Sequence, residues 1–198
     1  EYEIGDKLGE GGMGAVYRAR QGSVDRGVAL KMVKKNQGTT DAQAMFLAEA
    51  VVTGALEHPN IARLYDAGVD DKGRPYLALE YVEGQRIDAY CDARCLSIRQ
   101  RIELFLQVLA AVQYAHVNLV VHRDIKPANV LINQQGAAKL LDFGIARLEV
   151  DARMLEELGD VAQTSTRAMT PRYASPEQVR GERLSLVSDV YSLGVLLY

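Results

Sequence analysis

The sequence predicts an α+β protein. A small, mostly antiparallel sheet with one helix should occupy residues 1–82, followed by a larger, mainly helical part over residues 83–198. Three observations predict this. Short β-branched and aromatic runs, parted by glycine- and aspartate-rich turns, fill the first part. Apolar residues at helical spacing (Ile98, Ile102, Phe105, Leu109 and Val112) lead the second part. A polar stretch lies further on, HRDIKPAN at 122–129, with apolar runs on both sides.

Taken in order, residues 2–8 read as a strand that runs into Gly9-Glu10-Gly11-Gly12-Met13-Gly14, and residues 15–19 resume strand character. Glycines there let backbone N–H groups approach phosphates without side-chain obstruction. By itself the pattern is weak; it fits a plain hairpin turn or a dinucleotide fingerprint opening a helix. The strand-like Val16-Tyr17-Arg18-Ala19 and the next strand, 27–33, argue against the dinucleotide reading. Lys31 is embedded in that strand's apolar run, and a buried lysine requires an anionic partner. Residues 40–57 read as a helix, with Thr40 and Gln43 as a capping box. Glu49 is the charged residue on its Met45, Val52 and Leu56 face, so an inward Glu49 and an inward Lys31 explain each other as an ion pair.

His58-Pro59-Asn60 ends that helix, with His58 structural. Residues 61–65 and 76–81 read as strands around the turn Asp70-Asp71-Lys72-Gly73. Gly84 marks the exit into the helical part. Ser97 and Gln100 form another capping box, opening a buried helix of about 20 residues whose His116 packs or caps. Short buried strands at 119–121, 130–132 and 140–141 should hold the polar stretch, with 133–136 as a hairpin turn. Residues 142–177 carry few strong signals, although 154–158 could add a helical turn. Ser185 caps a last helix with an apolar stripe of Leu186, Val190, Leu193 and Leu197, within which Asp189 sits.

The 198 residues are 48% hydrophobic and 25% charged, values that suit a globular domain. A formal net charge of −3 offers no argument for a nucleic-acid or membrane partner. No apolar run reaches the ~18 residues of a membrane span. Cys91 and Cys95, four apart on an expected helix, read as two reduced thiols of a cytosolic protein, because further metal ligands are missing nearby. The chain starts at Glu1 without methionine or a signal-like stretch, and reads as a piece cut from a longer protein.

The polar stretch carries the chemistry. Asp124 stands two residues from Lys126 and five from Asn129, and the hairpin should fold Asp142 back beside Asn129. The outcome is a lone base plus an Asp/Asn oxygen pair suited to a hard cation such as Mg²⁺, the parts that phosphoryl transfer from ATP to a hydroxyl needs. HRDIKPAN and the Asp142-Phe143-Gly144 triplet resemble the catalytic loop and metal-binding loop of eukaryotic-type (Hanks-type) protein kinases. Lys126 points to the serine/threonine branch, and the wider stretches resemble bacterial serine/threonine kinases.

The resemblance implies a two-lobed domain that binds ATP with Mg²⁺, or Mn²⁺ as an alternative, and phosphorylates Ser/Thr hydroxyls of protein substrates. Asp124 would be the base, Lys126 would offset γ-phosphate charge, and Asn129 and Asp142 would hold the metal. ATP contacts would come from Leu8, Gly9, Glu10, Gly11, Gly12, Met13, Gly14, Val16, Ala29, Lys31, Glu49, Glu80, Val82 and Leu131. Glu80, Tyr81 and Val82 would form the hinge, and Leu79 would line the back of the adenine pocket. Asp189 resembles the aspartate that braces the catalytic-loop backbone. Residues 170–177, TPRYASPE, resemble the end of the activation segment, with serine for the alanine of its last motif and Met169 where many members carry glycine. Thr164, Ser165 and Thr166 would be phosphorylation sites gripped by Arg123, and a dimer would allow trans-autophosphorylation. A cytoplasmic location is expected. The family continues for several helices past the one in which Tyr198 lies, so residues 1–198 alone should be poorly active and prone to aggregate. The rival readings are a non-catalytic module of the same fold and a kinase of small molecules. The complete set of core residues argues against the first, and residues 170–177 against the second.

Overall fold

The computed structural model describes residues 1–11, 14–33, 50–51, 54–143, 171–182 and 184–198. The expected helix at 40–57 therefore lies largely outside the described residues, although Ala50, Val51 and Gly54 are helical. Gly12, Met13, Glu49, Gly144 and the hydroxyl cluster at 164–166 also lie outside them. The chain divides into two compact units, Glu1–Glu57 with Ala62–Val82, and His58–Ile61 with Glu83–Tyr198.

The first unit is a five-stranded antiparallel sheet of β1 (Tyr2–Glu10), β2 (Gly14–Gln21), β3 (Arg26–Val33), β4 (Leu64–Val69) and β5 (Pro75–Glu80), in the order β1-β2-β3-β5-β4. Alternation along the strands sorts side chains to two faces. Ala19, Val28, Leu30, Met32 and Ala78 pack on one, under Tyr2, Tyr17, Tyr65 and Tyr76. Leu77 packs on the other with Ala50, Leu64 and Leu79. Asp70 ties the β4–β5 turn together, accepting from the backbone of Lys72 and Arg74 through Oδ1 and from the Arg74 guanidinium through Oδ2. The strand expected at 61–65 is displaced. β4 begins only at Leu64, whereas Ile61 is buried in the second unit and bridges Leu140. Asn60 causes this, because its carbonyl accepts from Leu140 N at 2.7 Å and its amide donates to Ala138 O at 2.8 Å.

The second unit contains a small sheet of β6 (Gly84–Arg86), β7 (Val130–Asn133) and β8 (Ala138–Leu140). Its helices are α1 (Ile87–Ala93), α2 (Ile98–Val117), α3 (Pro176–Arg180) and α4 (Leu186–Leu197). The expected hairpin turn is present: Asn133 Oδ1 accepts from the backbone of Gln135 and Ala137, and Gly136 takes φ +78°. The Ser97–Gln100 and Ser185 caps are also present. Asn60, Gln107 and Ala138 are joined by hydrogen bonds, which seats α2 against β8.

Four further expectations need correction. Residues 119–121 are not a strand. Leu119 ends the turn after α2 at φ +60° and is exposed, its N–H spent on His116 O. Secondly, α2 buries Leu104, Val108, Ala111, Val112 and Ala115, while Ile98 and Ile102 face outward. In α4 the buried face is Ser188, Asp189, Ser192 and Leu193, and Leu186, Val190 and Leu197 are exposed. Finally, Cys91 lies in α1, but Cys95 lies beyond its end at φ +49°; both are free thiols.

Candidate active site

The site in the second unit is built on backbone that α4 grips. Asp189 is buried, and its carboxylate accepts from His122 N at 2.7 Å, Arg123 N at 2.8 Å and His116 Nε2 at 2.8 Å. Two consecutive backbone N–H groups on one carboxylate hold the chain in a conformation it would not otherwise keep: Arg123 has φ +68°. Asp142 also takes the left-handed region, at φ +48°. Both residues flank the expected chemistry, where such strain tends to collect.

His122 is fully buried against Phe143, with ring centroids 4.7 Å apart. Its Nε2 lies 2.9 Å from Leu141 O, and Asp124 N donates to its Nδ1 at 3.2 Å. A carbonyl can only accept, so Nε2 carries the hydrogen and Nδ1 is bare. That is the neutral ring, in agreement with burial pushing its pKa down. With both nitrogens engaged by backbone, His122 is a structural residue rather than a base.

Beyond it, Asp124, Lys126 and Asn129 converge. Lys126 Nζ lies 2.7 Å from Asp124 Oδ2. Asn129 Nδ2 donates to Asp124 O at 2.8 Å and to Asp124 Oδ2 at 3.0 Å. Pro127 starts the short 3₁₀ turn Pro127–Asn129 that returns the amide to the aspartate. Leu141 N donates to Asn129 O at 2.9 Å, so the β7–β8 hairpin brings the residue before Asp142 against Asn129. With its amide hydrogens turned to Asp124, Asn129 would offer Oδ1 to a cation. An amide oxygen and the Asp142 carboxylate suit a hard divalent ion that takes its other ligands from phosphate and water. Among the described residues, no group of three or more His, Cys, Asp or Glu could hold a metal without such help.

In the first unit, the strand register puts Val16 opposite Lys31 and Lys31 opposite Leu77, and Ala29 opposite Leu79. Directly paired residues share a face, so Val16, Ala29 and Lys31 line one side of the sheet. Gly11 N donates to Gly14 O at 2.9 Å in the β1–β2 turn, beside Leu8, Gly9 and Glu10. Glu80 is tied to Arg63 through its own N–H and its carboxylate. Val82 closes this unit, and Leu131 belongs to β7 of the other. Glu49 lies outside the described residues.

Asp189 was legible beforehand, but Gln178 was not. Its side chain reaches the catalytic stretch, donating to Arg123 O at 2.7 Å. The available signal was the Ser175–Gln178 spacing, which a capping box already explains. No described helix is long and apolar enough to cross a membrane.

Comparison with known proteins agrees with this geometry. Residues 2–198 match the family model described as protein kinase domain. The chain is 39% identical over 202 residues to a probable serine/threonine-protein kinase of Streptomyces coelicolor, covering 100% of this chain and 29% of that protein. It is 38% identical to the serine/threonine-protein kinase PknB of Mycobacterium leprae and 37% to that of Mycobacterium tuberculosis, in each case covering 100% of this chain and 32% of the relative. The chain thus spans about a third of the length of these relatives. A kinase-family match over essentially all residues, with Asp124, Lys126 and Asn129 in mutual contact, makes this chain a member of the protein kinase domain family.

Proposed function

We propose that this domain transfers the γ-phosphate of Mg-ATP to Ser or Thr hydroxyls of protein substrates. The observation that carries the reading is the contact set of Asp124 with Lys126 Nζ and Asn129 Nδ2. Asp124 orients the substrate hydroxyl and accepts its proton, while Lys126 offsets charge on the transferring phosphoryl group. Asn129 and Asp142 would hold the divalent cation, which would supply charge neutralisation at the phosphates. Little covalent chemistry is required of the chain; position and electrostatics carry the rate.

In the first unit, nucleotide contacts are assigned to Leu8, Gly9, Glu10, Gly11, Gly12, Met13, Gly14, Val16, Ala29, Lys31, Glu80 and Val82, with Glu49 pairing Lys31. In the second, Leu131 is assigned to the same role. The division of the domain at residues 82 and 83, a cytoplasmic location and a dimer for trans-autophosphorylation belong to the same proposal. So does phosphorylation within 164–166, with Arg123 as its partner.

Labelled ATP, Mg²⁺ and a generic protein substrate test the reading in the intact protein. Asp124→Asn should lower kcat by about 10²–10⁴ while leaving the KM for ATP nearly unchanged, since Asp124 serves the hydroxyl and not the nucleotide. Equal turnover by the variant would refute the assignment. Mass spectrometry of the same reaction should find phosphate at 164–166, and phosphate only elsewhere would remove the switching part of the proposal.

A further inference from the structure

We infer that Gln178 is a positioning residue for Asp124. This rests on the reading of Asp124 as the base. The peptide unit between Arg123 and Asp124 determines the direction in which the Asp124 side chain leaves the backbone. Both polar ends of that peptide are held: its carbonyl accepts from Gln178 Nε2 at 2.7 Å, and its N–H donates to His122 Nδ1 at 3.2 Å. The preceding peptide N–H, that of Arg123, is held by Asp189 Oδ1 at 2.8 Å. Arg123 sits at φ +68°, a strained conformation that persists only where the surroundings over-determine it. Asp189 and His122 constrain the N–H groups of this strained step. Gln178 constrains its carbonyl.

Gln178 is itself buried and fixed. Its Oε1 accepts from Ser175 N at 2.8 Å, and its own N–H donates to Ser175 Oγ at 3.4 Å, closing the capping box of α3. One amide thus has two jobs. The oxygen caps a helix, which any capping residue could do, and the NH₂ reaches 55 residues back to the base-bearing loop. Helix α3 follows directly on the 3₁₀ turn Pro171–Tyr173, whose Tyr173 carbonyl accepts from Ser192 Oγ at 2.9 Å on α4. The anchor that carries Gln178 is therefore tied to the same helix that carries Asp189, and the two constraints on Arg123 share one scaffold.

The two jobs separate by substitution. Gln178→Glu keeps the acceptor for Ser175 N–H but presents a carboxylate to the Arg123 carbonyl. Gln178→Met has similar length and no hydrogen bond at either end. Ser175→Ala weakens the cap and leaves the Gln178–Arg123 bond available. In the intact protein, both Gln178 variants should lose kcat by about 10–100-fold, the scale of a misplacement near 1 Å, with the KM for ATP within about twofold. Ser175→Ala should lower Tm comparably while keeping kcat within about twofold. Amide hydrogen exchange at Asp124 should rise in the Gln178 variants and not in Ser175→Ala. Near-parental kcat in either Gln178 variant, or kcat losses that track Tm across all three, would overturn the inference. Failure of both Gln178 variants to fold, with Ser175→Ala folded, would assign Gln178 to fold maintenance and overturn it too. Asp124→Asn run alongside separates the layers: an active Asp124→Asn protein removes the base reading, whereas an inactive one beside active Gln178 variants removes only this inference.

Discussion

Cys95 occupies the position just past the end of α1 where helices favour glycine. Cys95 N donates to Asp92 O at 3.1 Å and Leu96 N to Cys91 O at 3.0 Å, the paired bonds of a left-handed helix terminus. Its φ of +49° costs an L side chain about 1–2 kcal/mol, and its exposed thiol finds only a weak 3.7 Å contact with Asp92 O in return. Glycine removes that strain but brings about 0.5–1 kcal/mol of unfolded-state entropy. Cys95→Gly should therefore raise stability by about 0.5–1 kcal/mol, read as a higher urea midpoint at unchanged slope. A lower midpoint would mean that the thiol packs better than its exposure indicates. Arg123 has the same kind of backbone, but there the strain is held in place by Asp189 and Gln178 beside the chemistry, so relief would be expected to cost function.

At the scale of elements, β6 shows how a three-residue strand can depend on one missing Cβ. Gly84 pairs with Asn133, and a Cβ there would be driven into the Ile132 carbonyl, within 2.8 Å of its carbon. The obstacle is backbone in the middle of a hairpin, which cannot rotate away as a side chain could. Gly84→Ala should cost about 1–3 kcal/mol, the usual range for overpacking, and should loosen the β6–β7 pairing first. Denaturation together with hydrogen exchange at Gln85 and Ile132 checks this; an unchanged stability would show that β6 can slide without loss. Helix α4 makes the complementary point. It buries two hydroxyls beside Leu193 while Leu186, Val190 and Leu197 stay exposed, and each hydroxyl has a partner: Ser188 Oγ donates to Glu177 Oε1 at 2.6 Å, and Ser192 Oγ to the Tyr173 carbonyl.

For the whole molecule, the buried histidine sets an acid limit. His122 is neutral in the fold because burial depresses its pKa, and its bare Nδ1 faces a backbone N–H that a second ring proton would oppose. The unfolded chain takes that proton near its ordinary pKa of 6.5. Below that value the unfolded state binds more protons than the folded one, so stability must fall as pH falls. His58, lowered first by burial and then by Lys139, acts in the same direction. We expect stability to be level near pH 7–8 and to drop from about pH 6.5 downward, by at most ~1.4 kcal/mol per pH unit for each such histidine. Urea unfolding at several pH values tests this, and His122→Gln should remove its share of the slope. A flat profile between pH 5 and 7 would exclude the neutral, buried assignment.

What the sequence determined by itself was local. Strand runs, capping boxes, the Asn133–Gly136 turn and the Asp124, Lys126 and Asn129 spacing are properties of neighbouring residues, and short-range sterics and hydrogen bonding specify them wherever the chain goes. The family was legible for the same reason, since its motifs are short. Tertiary structure decided which faces were buried and what held the catalytic stretch. α2 turns Leu104, Val108, Ala111, Val112 and Ala115 inward and leaves Ile98 and Ile102 exposed, because apolar periodicity marks a stripe but not which parts of it a neighbouring element covers. Residue 61 left its expected strand because Asn60 found partners near position 140. The bond from Gln178 to the Arg123 carbonyl joins residues 55 apart, and a polar contact between separate elements leaves no periodic trace in sequence. It exists only once folding has brought the half-buried Arg123 carbonyl to the buried Gln178 amide, which would be costly to bury without a partner.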